Sequence, residues 1–145
     1  MNQGPLHFGA TMRAHERLNH LSGQVLAASF TIHTALGPGL LESAYEACLV
    51  HELRSRGFRV EQQVALPLRY EGKAVSETGY RLDVLVEDDV VVEVKSVDAI
   101  HPVHRAQLLT YLRLSNKHLG LLLNFNVARL KDGGIHRLVQ GPPPL

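Results

Sequence analysis

The sequence predicts one mixed α/β domain: a mixed central sheet flanked by helices, with elements in the order α-α-β-β-β-α-β-β. Three observations carry this. Apolar residues recur at helical spacing from Leu21 to about Arg56. Beyond Phe58 the period changes to two, and valine dominates up to Val97. After a further helical stretch comes a short unbroken apolar run, Leu119 to Phe125, the mark of a strand buried on both faces.

The elements follow in order. Residues 1–19 are polar without a clear period and read as a loosely ordered extension, so the domain proper is expected over residues 20–140. Leu21, Val25, Ala28, Ile32 and Ala35 define the first helix, with Ser22 as a plausible N-cap. Gly37-Pro38-Gly39 ends it. A second helix is expected over residues 40–56, stopped by Gly57 at the C′ position. Val60, Val64, Leu66 and Leu68 mark an extended segment, and Gly72 a turn. Residues 79–86 and 90–97 form two more strands joined by Glu87-Asp88-Asp89. Pro102 suits the first turn of a third helix over residues 102–116. Asp132-Gly133-Gly134 is a turn before a last strand at residues 135–139, and the Pro-rich tail 141–145 lies outside the fold.

Composition narrows the function. The 145 residues suit a single domain, which buries roughly 70% of its unfolded surface. With 15 basic and 14 acidic residues the net charge is +1, which excludes a protein that coats nucleic acid through bulk charge. The lone Cys48 makes no internal disulfide and no Cys-rich metal site, and its helical pattern suggests a buried thiol. No apolar run is long enough to span a membrane. The first ten residues lack a charged stretch followed by an apolar one, so a cytoplasmic protein is expected. The nine histidines contain no H-E-x-x-H, and they read as surface or interface residues, with His104 the one to watch.

The chemistry lies in two strands, Y-R-L-D-V-L-V and V-V-V-E-V-K-S-V. Leu82, Val84 and Val86 share one face of the first; Val90, Val92 and Val94 share one face of the second. A hairpin that keeps both triplets in the core must set Val86 opposite Val90, Val84 opposite Val92 and Leu82 opposite Val94. That register sets Asp83 across from Glu93, with Lys95 one step along, and it requires one loop residue near the left-handed region. Two adjacent carboxylates repel, so at least one should titrate high, and a divalent cation relieves them. Mg²⁺ takes one or two carboxylates plus water and phosphate oxygens. E-x-K on a strand is also a common exposed pair, and by spacing alone that reading stays open.

D, a short gap, then E-V-K between apolar strands resembles the PD-(D/E)XK nuclease core. G-L-L-E-S-A-Y at 39–45 is similar to the signature of the GxxExxY protein family within that superfamily, as are the flanking strands and the late L-L-L-N-F segment. The resemblance covers about residues 21–140. It implies a nuclease-like fold, Asp83 and Glu93 as ligands of Mg²⁺ or Mn²⁺, and Lys95 as the residue that positions or activates water. Glu42 would complete the acidic cluster. Gln107 and Tyr111, four apart on one helix face, resemble the Q-x-x-x-Y element of RecB-like nucleases beside the active site. The chain departs from the superfamily name in having no proline before Asp83, and it lacks the cysteines of the iron–sulfur relatives.

Each supporting residue has a second reading. Glu42 also suits an N3 capping position behind Gly39. Tyr45, one turn from Glu42, either bonds to it or packs. Gln107 also reads as a solvated helix residue and Tyr111 as core. Arg105, Arg113 and Lys117 are candidate phosphate contacts or ordinary surface cations. The implied function is metal-dependent hydrolysis of phosphodiester bonds in DNA or RNA. Its rival is a non-catalytic nucleic-acid-binding or protein-assembly module on the same fold. A minimal core of this size has little surface to grip a duplex, which points to a possible homodimer.

Overall fold

The computed structural model describes residues 3–141, and the expected element order is the observed one: α1 (Gln3–Leu36), α2 (Glu42–Ser55), β1 (Val60–Tyr70), β2 (Lys73–Val86), β3 (Val90–Lys95), α3 (Pro102–Ser115), β4 (Leu119–Asn124) and β5 (Ile135–Val139). The five strands form one sheet in the order β1-β2-β3-β4-β5. Only β3 and β4 run parallel, joined by the α3 crossover; the other neighbours are antiparallel. One face packs on α1 and α2 through Val25, Ile32, Tyr45, Leu49 and the valines of β2 and β3. The other packs on α3 through Leu108, Leu112, Leu85, Val91 and Leu122. β4 is buried along its whole length, as its unbroken apolar run requires.

Two expectations about α1 are corrected. It begins at Gln3, so residues 3–19 are helical turns rather than a loose extension. Among the described side chains of residues 13–19 only Leu18 is buried, while Ala14, Glu16 and Arg17 are good helix formers, so the helix shows little apolar period there. Ser22 therefore lies mid-helix, where its Oγ donates to the Asn19 carbonyl (3.0 Å) instead of capping. Ala35 is exposed. Cys48 is half-buried against the core rather than fully enclosed. His33 is buried, not superficial: its Nε2 bonds the carbonyls of Phe125 (3.2 Å) and Val127 (2.9 Å) and ties α1 to the loop after β4.

The turns match their residues. Gly57, at φ +91°, closes α2 in a Schellman motif: its N–H donates to Arg54 and that of Phe58 to Leu53. Glu71 and Gly72, both at positive φ, make the two-residue β1–β2 turn. In the β2–β3 loop two residues, Glu87 and Asp88, take the left-handed region where one was expected. The three acids of that loop face Arg59, Lys117 and Arg17 as ion pairs. Gly134 fills a site where a Cβ would meet the Leu130 and Asn124 carbonyl oxygens at 2.7 and 2.8 Å. Since its own carbonyl accepts the Asn124 N–H, Gly134→Ala should disturb the end of β4 and destabilise the fold by about 2 kcal/mol, read as a lower urea midpoint at unchanged slope.

Candidate active site

The β2–β3 register is the one the valine triplets demand: Val86↔Val90, Leu85↔Val91 and Val84↔Val92. Continued one step, it sets Asp83 opposite Glu93, and there the backbone ladder stops. Side chains replace it. The Asp83 N–H donates to Glu93 Oε1 (3.2 Å), and the Val94 N–H donates to Asp83 Oδ2 (3.1 Å). Each carboxylate thus takes a backbone donor that a regular sheet would spend on a carbonyl. The strands part at this point, next to the carboxyl ends of the parallel pair β3 and β4, where open α/β sheets place their sites.

The pleat also breaks here. Leu82 packs in the α3 cluster, whereas Val84 and Val86 pack against α1 and α2. The expectation that Leu82 shares their face is therefore corrected. On the neighbouring strand β1, between the partners of Val84 and Leu82, Gln63 holds φ +50°.

Burial separates the two acids. Glu93 is only 5% exposed, while Asp83 is half-buried and lines an open groove together with Glu42, Glu46, Gln63 and Ser96. Burial first, and the neighbouring Asp83 carboxylate second, push Glu93 up to about 9, with Lys95 only partly offsetting them. This is the raised carboxylate the sequence anticipates. Lys95 is half-buried, and among the described residues its ammonium has no carboxylate within ion-pair distance.

The supporting residues divide. Glu42 is exposed at the first turn of α2, with Leu41 rather than Gly39 as N-cap. Its Oε1 accepts the Ser96 N–H (3.3 Å), so it braces the chain just after Lys95 instead of joining the other two acids. Tyr45 is fully buried, stacks on Phe125 at 4.7 Å, and bonds Gly37 and Leu40 through its hydroxyl; it holds the turn that presents Glu42 and makes no bond to it. Tyr111 does reach the site. Burial and then the charges of Glu93 and Asp83 push its hydroxyl upward. Gln107, one turn earlier, is exposed and forms no hydrogen bond among the described residues. His104 Nδ1 accepts the His101 N–H (3.0 Å) and so serves the start of α3. Of the candidate phosphate contacts, Lys117 is paired with Asp88 at the opposite end of the strands, and Arg105 and Arg113 bond His136 and Thr110.

Two residues at the site were given no role from the sequence, although Asn124 lies within the L-L-L-N-F segment. Glu46 lies one turn beyond Glu42 and accepts from the amides of both Gln62 and Gln63 (3.1 Å each). Asn124, buried at the end of β4, accepts the Val97 N–H (3.1 Å) and donates to the Val97 carbonyl (3.0 Å), fixing the loop that follows Lys95. The i, i+4 spacing of Glu42 and Glu46 was a usable signal for the first. A polar residue closing the apolar run of β4 was one for the second.

The chain belongs to the PD-(D/E)XK nuclease superfamily. The model of that superfamily matches residues 19–138, from the middle of α1 through β5. No curated protein and no solved structure matches the chain significantly. Members of the superfamily generally use divalent metal ions. The donors here fit such an ion. They are carboxylate oxygens suited to a hard cation, and one of them is buried without full charge compensation. Among the described residues no three His, Cys, Asp or Glu side chains gather into a cage. Glu42, the expected third carboxylate, lines the same groove as Asp83, with its Oε1 accepting the Ser96 N–H. Mg²⁺ is commonly held by one or two carboxylates, the rest of its shell being water and phosphate oxygen. Among the described residues no helix is long and apolar enough to cross a membrane.

Proposed function

We propose that the chain is a divalent-metal-dependent nuclease of the GxxExxY type, with residues 20–140 as its domain. Asp83 and Glu93 would hold Mg²⁺ or Mn²⁺, which when bound lowers the pKa of a coordinated water. The observation that supports this is the buried, incompletely compensated Glu93 beside Asp83, at the point where two strands part and Lys95 has no ion-pair partner among the described residues. Asp83 faces the groove through which a phosphate reaches the pair. Lys95 holds the attacking water by its ammonium and offsets charge on the phosphate. Glu42 and Asn124 keep the chain after Lys95 in place from two sides. Tyr111 faces the carboxylates as the RecB-like reading requires, and Gln107 supports only by turning inward when substrate binds. The small domain has little surface of its own to grip a duplex, which favours action as a homodimer, and the proposed setting is the cytoplasm.

One observation favours the rival reading, a nucleic-acid-binding or assembly module without turnover: Glu42 stands outside the acidic pair. A panel of single-stranded, duplex, branched and RNA substrates with Mg²⁺ and Mn²⁺ decides between them. The proposal expects metal-dependent cleavage of at least one substrate. It also expects Mn²⁺ at about 100 times its Kd to raise the Tm by roughly 5–10 °C, and Asp83→Ala to abolish both effects. A wild-type Tm indifferent to Mn²⁺, with no cleavage, overturns it.

A further inference from the structure

Tyr80 lies on β2 three residues before Asp83, and it is 38% exposed. Its register partner is Leu66, which packs in the α3 cluster, so Tyr80 stands on the α3 face of the hairpin. There its ring meets that of Tyr111 with centroids 5.9 Å apart and planes tilted by 56°. Tyr111 in turn packs against the cluster that holds Leu82 and Leu85, the chain on either side of Asp83. The β1–β2 ladder shifts register between Leu66 and Leu68, immediately beyond Tyr80. Such irregularities re-aim side chains and gather beside active sites. The result is an aromatic surface, half open to solvent, flanking the carboxylate pair on the side away from the Glu42 groove.

A tilted aromatic pair whose outer residue, Tyr80, is exposed offers π-surface that any nucleobase can stack on. Bases in a duplex have both faces occupied by their neighbours, so only an unpaired or splayed base can use it. We infer that Tyr80, backed by Tyr111, is a base-stacking subsite on the α3 side of the carboxylate pair, for the base of a nucleotide flanking the reacting phosphate, and that the chain takes nucleic acid with unpaired bases at that position. The inference rests on the nuclease reading for its phosphate, but its binding component stands on the aromatic geometry.

The test measures dissociation constants by fluorescence anisotropy for labelled oligothymidylate, oligouridylate, a strand of abasic residues of equal length, and a blunt duplex. Wild type should bind the base-bearing single strands about ten-fold more tightly than the abasic strand, the fold-change expected of about one stacked base. Tyr80→Ala should erase that difference and Tyr80→Phe should keep it. The two base-bearing strands show whether deoxyribose or ribose is preferred, and either result supports the subsite. Equal binding of abasic and normal strands by wild type, no binding of any strand, or a preference surviving Tyr80→Ala overturns the inference. Cleavage is scored separately. A base preference without cleavage counts against the nuclease reading alone, and cleavage without a base preference counts against the subsite alone.

Discussion

Glu93→Gln should abolish cleavage, lowering it by about 10³-fold or more, while leaving the fold intact and the metal-free protein nearly as stable at neutral pH. The reason is protonation. Glu93 titrates near 9 in the folded chain against 4.5 in the reference state, so without metal it is a neutral acid at pH 7 and glutamine copies its shape and charge. The folded state therefore keeps a proton that the unfolded chain has released. As pH rises from about 4.5 toward 9 wild-type stability must fall, by at most ~1.4 kcal/mol per pH unit, and above that window it levels off. Glu93→Gln has no proton there to lose, so its stability should be flat across the same window. Metal binding by wild type should release a proton and tighten with rising pH up to the raised value. The variant should show neither behaviour. Urea denaturation against pH, together with calorimetric Mn²⁺ titration in two buffers of different ionisation heat, reads both. If wild type and Glu93→Gln bind Mn²⁺ equally, the carboxylates are structural and the binding-module reading takes over.

The core of this site was legible because a hydrophobic pattern constrains register strictly. A one-residue slip would turn one valine-rich triplet out of the core, and the pairing that keeps the three-residue loop brings Asp83 to Glu93. Helix ends were legible where a residue has a special backbone role, as at Gly57 and Pro102. What stayed hidden depends on contacts between distant elements. Leu82 leaves its expected face where the neighbouring strand carries Gln63 at positive φ, and nothing local to Leu82 signals this. Glu42 is diverted by a backbone N–H fifty-four positions away. Gln107 and Tyr111 share a helix face by spacing, yet Tyr111 is half-buried and Gln107 is in solvent, because α3 tips its C-terminal half onto the sheet through Leu108 and Leu112. Tyr80 drew no notice in the sequence because its partner, Tyr111, lies on another element.

Lys95→Ala should separate binding from turnover. The ammonium lowers Glu93 and lies in the same strand, two residues on, so removing it takes away a positive charge that competes with a cation for the pair. Metal affinity should stay the same or rise. Glu93 should titrate higher still in the metal-free variant, which extends the pH window of falling stability above that of wild type. Cleavage should nevertheless drop by roughly 10²–10⁴-fold, the usual cost of losing a positioned proton-transfer or charge-stabilising group. Lys95 forms no ion pair with any described carboxylate, and its backbone carbonyl, which accepts the Phe125 N–H (3.0 Å), is unaffected by the change, so the fold has little to lose. The measurement is the ratio of two numbers for one protein: the Mn²⁺ dissociation constant by calorimetry and the single-turnover cleavage rate at saturating metal. A nuclease predicts that Lys95→Ala changes the second and spares the first, whereas Glu93→Gln damages both. A lysine that only completes an exposed strand face predicts that Lys95→Ala changes neither, and that outcome would remove it from the site.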